Sequence, residues 1–206
     1  MKTSNKFTLS RLFSAPFFFL IYNIPIWTGS VFLAKISAFL MIPFLAGFEL
    51  TDYFDGFYAR KKNEVSDFGK IFDPFADVIL NLTIFACGFS SFSAQIGSYM
   101  PIVIFVFLIY REFSQSFIRM VAIKNGIAIA ARKSGKLKTV FYIISGFLMI
   151  IIESAIRFGA DLSRIADFST LKNITVFFFF VSLLLSYISF IDYLKTFSSV
   201  LTRDKD

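Results

Sequence analysis

Long apolar runs divided by short basic breaks leave this chain few ways to fold. The runs extend over about Leu12 to Trp27, Val31 to Phe57, Phe72 to Phe92, Tyr99 to Val121, Val140 to Ile156 and Ile174 to Tyr193. A helix needs about 20 residues to cross the roughly 30 Å hydrocarbon core of a bilayer. The first run is short for that and is expected to begin within the lead-in Asn5 to Arg11 (NKFTLSR). Charged residues make up 17% of the chain and apolar ones 56%, against about 25% and 45–50% in soluble domains. The expected fold class is all-α: an integral membrane bundle of six transmembrane helices. No repeat, linker or second domain interrupts it, so 1–206 is expected to form a single membrane domain. Within it, 1–11 forms a cytoplasmic lead-in and 194–206 a polar tail. A basic start before an apolar run also describes a secretory signal, but no small-x-small cleavage site follows here.

The basic residues orient the bundle. With the N-terminus inside, sixteen of them fall on cytoplasmic segments, among them Arg60, Lys61, Lys62, Arg119, Lys136 and Lys138. Only Lys35, Arg157, Arg164 and Lys172 fall outside, and Arg111 lies within the membrane. By the positive-inside rule both termini are then cytoplasmic. The net charge of +7 is thereby used in topology and anionic-lipid contact, and nucleic acid is not an expected partner. The chain contains no His, which excludes imidazole catalysis and His-ligated metals. The single Cys87 lies in an apolar run and is expected to be a small buried hydrophobe.

Against this background the stretch from Asp52 to Asp77 is anomalous. It places Asp52, Asp55, Asp73 and Asp77 in a chain otherwise short of acids, with Gly56, Ala59, Arg60 and Gly69 at set offsets. On a helix, Asp52, Asp55, Gly56 and Ala59 share one face, and Gly69, Asp73 and Asp77 form one stripe of the next. The polar run Lys61 to Asp67 can turn the chain back, so that two antiparallel helices aim four carboxylates at one another. Such charges repel unless a cation lies between them. Oxygen ligands alone suit a hard ion: Mg²⁺, Mn²⁺ or Ca²⁺. Pro74 removes the donor to the Lys70 carbonyl, which is tolerable where backbone lines a wet cavity. Gly56 and Ala59 leave a nearly bare face that a flat base and ribose could approach; small residues also serve close helix packing in lipid.

The spacing Asp52-x2-Asp55-Gly56-x2-Ala59-Arg60-x8-Gly69-x3-Asp73-x3-Asp77 resembles, at every specified position, the signature of the CDP-alcohol phosphotransferase family. Chance coincidence of the eight positions is on the order of 10⁻⁹ per start site. The resemblance implies a six-helix membrane enzyme, usually a homodimer, with its cavity open to the cytoplasm and inner leaflet. It implies that a hydroxyl attacks a CDP-linked substrate and CMP leaves. Asp52, Asp55, Asp73 and Asp77 would hold the metal, Mg²⁺ or Mn²⁺ and two ions. Asp77 would also serve as the base for the attacking hydroxyl. Asp52, Gly56, Ala59, Arg60 and Gly69 would shape the nucleotide site.

A second cluster bears on the acceptor. Arg111, Gln115 and Arg119 stand at i, i+4 and i+8, a stripe from mid-membrane to the cytoplasmic surface, and Gly135-Lys136-x-Lys138-Thr139 opens the next run. An arginine within the membrane is costly and by default functional; its alternative here is an ion pair with Glu112 or a motif aspartate. Lys136 and Lys138 read equally as topology anchors. Positive charge beside metals suits an anionic acceptor. The segments REFSQSFIRMVAIKNG and GKLKT, with the lead-in NKFTLSR, resemble the branch of the family that uses glycerol 3-phosphate. What this implies is transfer of phosphatidyl from CDP-diacylglycerol to sn-glycerol 3-phosphate, with Arg111, Arg119 and Lys136 binding the acceptor phosphate. A sibling enzyme using inositol, inositol phosphate or another alcohol is the nearest alternative. A cation- or proton-coupled transporter also places acids in the membrane, but would set them across a central pathway rather than beside a Gly/Ala platform at one helix end.

Overall fold

The computed structural model describes the backbone of residues 3–62, 67–124 and 133–201, and the side chains of residues 9, 12–50, 72–122, 135–162 and 164–195. Its elements are α1 (Thr3–Thr28), α2 (Val31–Lys62), α3 (Asp67–Cys87), α4 (Ile102–Lys124), α5 (Lys133–Phe158) and α6 (Phe168–Leu201), with a 3₁₀ turn at Leu162–Arg164. The described residues contain no strand. α1 begins at Thr3 and takes in the whole lead-in; α1, α2, α5 and α6 outrun their apolar stretches, while α4 is shifted three residues later than its own. α3 instead starts earlier, at Asp67, and stops at Cys87, because Gly88 to Pro101 forms an ordered connection before α4.

Helix packing follows a ring, α1–α3–α4–α6–α5–α2 and back to α1, with α3 and α5 also meeting across the middle. Phe85 of α3 marks that crossing: fully buried, it meets the Tyr142 ring of α5 at 5.1 Å and the Phe179 ring of α6 at 5.0 Å, both edge-on. The phenylalanine run 177–180 therefore divides by helical register. Phe179 enters the core while Phe177 and Phe180 stay exposed. Phe13, Phe17, Phe32, Phe39, Val103 and Phe117 are likewise exposed, a surface suited to hydrocarbon rather than water. Among the described residues, three spans are long and apolar enough to cross a membrane: Val31–Leu50, Gly135–Phe158 and Phe168–Lys195; Leu12–Thr28 is a shorter apolar helix.

A buried polar network ties one end of the ring together. Glu153 of α5 is fully buried, and its carboxylate accepts from Arg157 Nε at 2.9 Å, the Phe92 amide at 2.8 Å, Ser91 Oγ at 2.7 Å and the Tyr99 hydroxyl at 2.8 Å. Arg157 also donates to Ser37 Oγ of α2 and stacks over the Tyr22 ring of α1 at 4.5 Å. Lys172, near the start of α6, donates to the Ile96 carbonyl. This end thus gathers the ends of α1, α3 and α5 and the starts of α2, α4 and α6. Successive helices alternate in direction, and the start of α3 and the ends of α2 and α4 lie at the other end. Gly88 seals the connection: its carbonyl accepts the amides of Tyr99 and Met100, and an added Cβ would lie 2.8 Å from Met149 Sδ. Cys87 beside it is free and fully buried.

Candidate active site

Helical register carries the last two aspartates of the acidic motif toward the interior. On α3, Asp73 and Asp77 share a face with Leu80 and Ile84, which are buried in the core; both aspartates are half-buried. α3 runs through Pro74 as continuous helix. Asn81 Nδ2 donates to the Asp77 carbonyl at 2.9 Å, supporting the turn after the proline. On α2, the buried stripe is Ala34, Ser37, Ala38, Met41 and Leu45. That register, continued seven and eleven residues beyond Leu45, reaches Asp52 and Gly56 on the same unbroken helix. The side chains of Asp52, Asp55, Gly56, Ala59, Arg60 and Gly69, and their approach to α3, lie outside the described residues.

The donor set fits a hard divalent cation on the one part of it that is described. Asp73 and Asp77 stand one turn apart on an inward-facing, half-buried stripe. They offer only oxygen ligands, the chemistry that Mg²⁺ and Mn²⁺ prefer.

The second cluster is described almost completely. Arg111 and Glu112 of α4 are both buried. Glu112 Oε1 receives Arg111 Nη1 at 2.6 Å, Lys138 Nζ of α5 at 2.6 Å and the Tyr142 hydroxyl of α5 at 2.7 Å. Arg111 Nε donates to the Ser186 carbonyl of α6 at 2.9 Å, and Tyr142 Oη lies 3.0 Å from Ser186 Oγ. Lys138 Nζ also sits 4.6 Å from the centre of the Tyr142 ring. Arg111 Nη2 is buried without a hydrogen-bond partner among the described residues. Arg119, two turns on toward the end of α4, lies beside the Tyr193 hydroxyl and close enough to Lys138 for their charges to interact.

Arg111, Arg119 and Lys138 therefore come together where α4, α5 and α6 meet, and the Arg111–Glu112 ion pair is real. Lys136 is exposed on the first turns of α5, and it is Lys138 that reaches the carboxylate. Sequence reasoning named Glu112 only as a rival partner for Arg111 and passed over Tyr142 and Ser186. Their one sequence signal was spacing: Lys138 and Tyr142 stand at i and i+4, on one face of α5. The cluster carries two cations against one carboxylate, so it has a net positive charge in a place shielded from water. Such a charge is stable only with further compensation.

Comparison with known proteins identifies the family. The family model described as CDP-alcohol phosphatidyltransferase matches residues 1–188. A curated Treponema pallidum protein is 33% identical over 98% of this chain and 92% of its own length. Relatives from Bacillus subtilis (37% identical, covering 68% of this chain and 72% of their own) and Wigglesworthia glossinidia brevipalpis (34%, covering 72% and 76%) are also similar. All three are named CDP-diacylglycerol–glycerol-3-phosphate 3-phosphatidyltransferase. With an unbroken signature carried on α2 and α3 and a match over nearly the whole chain, the protein belongs to the CDP-alcohol phosphatidyltransferase family.

Proposed function

We propose that the protein transfers the phosphatidyl group of CDP-diacylglycerol to sn-glycerol 3-phosphate, forming phosphatidylglycerophosphate and CMP. The observation that carries the acceptor assignment is the buried, net-positive cluster of Arg111, Glu112 and Lys138, with Arg119 beside it. It lies in the half of the bundle toward which the acidic motif of α2 and α3 runs. A buried guanidinium nitrogen left unpaired costs about 1–3 kcal/mol or more, which an anionic oxygen would relieve. The names of the relatives supply the same acceptor.

In this reading Asp52, Asp55, Asp73 and Asp77 hold two divalent ions, Mg²⁺ or Mn²⁺. When bound, these ions neutralise the diphosphate oxygens and favour in-line displacement at phosphorus. Asp52, Gly56, Ala59, Arg60 and Gly69 shape the cytidine and ribose site. Arg111, Arg119 and Lys138 hold the acceptor phosphate, with Lys136 at the entrance. Asp77 takes the proton of the attacking hydroxyl. That oxygen forms a bond to the lipid-side phosphorus, the bond from this phosphorus to the bridging oxygen breaks, and CMP departs with the bridging oxygen. Six spans, cytoplasmic termini, a cytoplasm-facing site in the inner membrane and a homodimer complete the proposal, with 1–206 as one domain.

The test is CMP release by purified protein from CDP-diacylglycerol with a panel of acceptors. Glycerol 3-phosphate is expected to support turnover that EDTA abolishes and Mg²⁺ or Mn²⁺ restores. Equal turnover with glycerol or inositol, or full activity in excess EDTA, would contradict the reading.

A further inference from the structure

We propose that Glu112 is a positioning residue of the acceptor site, holding Arg111 and Lys138 as a fixed pair of phosphate ligands; this rests on the function proposed above. An arginine and a lysine brought together from two helices repel one another, and both side chains are long and mobile. Without a restraint, Lys138 would extend toward the surface, to which its side chain is still 14% open. Glu112 Oε1 prevents that by accepting from both cations at 2.6 Å.

The carboxylate is itself held. Tyr142, one turn beyond Lys138 on α5, donates to the same oxygen, and the Tyr142 hydroxyl is braced by Ser186 of α6. The Ser186 carbonyl in turn takes Arg111 Nε. Two of the three guanidinium nitrogens are thus committed to protein, and only Nη2 is left without a partner among the described residues. Holding a guanidinium through two of its three nitrogens is how a binding group is preorganised, because less motion remains to be lost when ligand arrives. The charge count is consistent: Glu112 cancels one of the two cations, leaving an excess that suits an anion but limits repulsion in its absence.

Glu112 therefore acts through its partners and not on the substrate, which a pair of variants can resolve. Glu112→Gln removes the charge that binds both cations. Tyr142→Phe leaves every charge in place and loosens only the hold on Oε1, so it guards against a Glu112→Gln protein that fails to fold. Steady-state kinetics with each substrate varied is the measurement. Glu112→Gln is expected to raise the KM for glycerol 3-phosphate roughly ten- to a hundredfold, from the loss of the ionic hold on both cations, and Tyr142→Phe about three- to tenfold, from the loss of one hydroxyl hydrogen bond to the carboxylate. The KM for CDP-diacylglycerol should move less than about twofold in both. If both substrates weaken together, or if Tyr142→Phe leaves the acceptor KM unchanged, Glu112 only stabilises the bundle and the proposal fails while the function stands. Inability of the wild-type protein to use glycerol 3-phosphate overturns both.

Discussion

At the scale of single residues, the proposed function asks two jobs of the aspartates in the acidic motif, metal ligand and base. Asp73 and Asp77 sit one turn apart on the same half-buried face of α3, leading directly into Leu80 and Ile84 of the core. Asp77→Asn keeps size and most hydrogen bonding but removes proton acceptance and one ligand charge. General-base catalysis typically contributes 10²–10⁴-fold, so CMP-releasing turnover should fall by about that factor while CDP-diacylglycerol binding survives better. Turnover within about tenfold of wild type would show that the base lies elsewhere. The motif was fully legible in the sequence because it is local: eight positions within two consecutive helices. Glu112 was not, since its partners Lys138 and Tyr142 come from another helix and Ser186 from a third, and only packing brings them to one oxygen.

Among the helices, the two ends of α5 do different work. Its first turns bring Lys138 and Tyr142 to Glu112, and its last turns bring Glu153 and Arg157 to the network that fastens α1, α2 and the connection between α3 and α4. The sequence marked Arg157 only as a charge on the outer side. Its buried role depends on Ser37, 120 residues away, and no periodicity in α5 could indicate that. Breaking a buried ion pair from one side costs about 3–5 kcal/mol because the remaining charge stays uncompensated. Glu153→Gln should therefore lower the thermal unfolding midpoint of the detergent-solubilised protein clearly, while the KM values of the folded enzyme at low temperature remain near wild type. A large change in either KM without loss of stability would place Glu153 in the active site instead. Helix identity was readable from apolar length alone. Helix ends were not, since α5 and α6 continue well past their apolar stretches on residues whose polarity the membrane does not restrict.

For the molecule as a whole, alternating helix direction places the Arg111–Glu112–Lys138 cluster and the start of α3 at one end, and the Glu153–Arg157 polar clasp at the other. The proposed orientation can be checked by cysteine labelling, because Cys87, the only thiol, is buried. In a Cys87→Ala background, Gln95→Cys should react with an impermeant maleimide added to the outer side. Lys205→Cys should react only after permeabilisation, and labelling of both from one side would refute the six-span topology. The fate of phosphorus in the substrate tests the proposed chemistry most directly. CDP-diacylglycerol carrying ³²P in the lipid-side phosphate can be turned over with unlabelled glycerol 3-phosphate, separating lipid from water-soluble products. Displacement at that phosphorus predicts that all label transferred appears in a lipid bearing two phosphates, one equivalent for each CMP released, and none in the nucleotide. Label leaving with the nucleotide as CDP, or CMP release that proceeds unchanged without glycerol 3-phosphate, would contradict it.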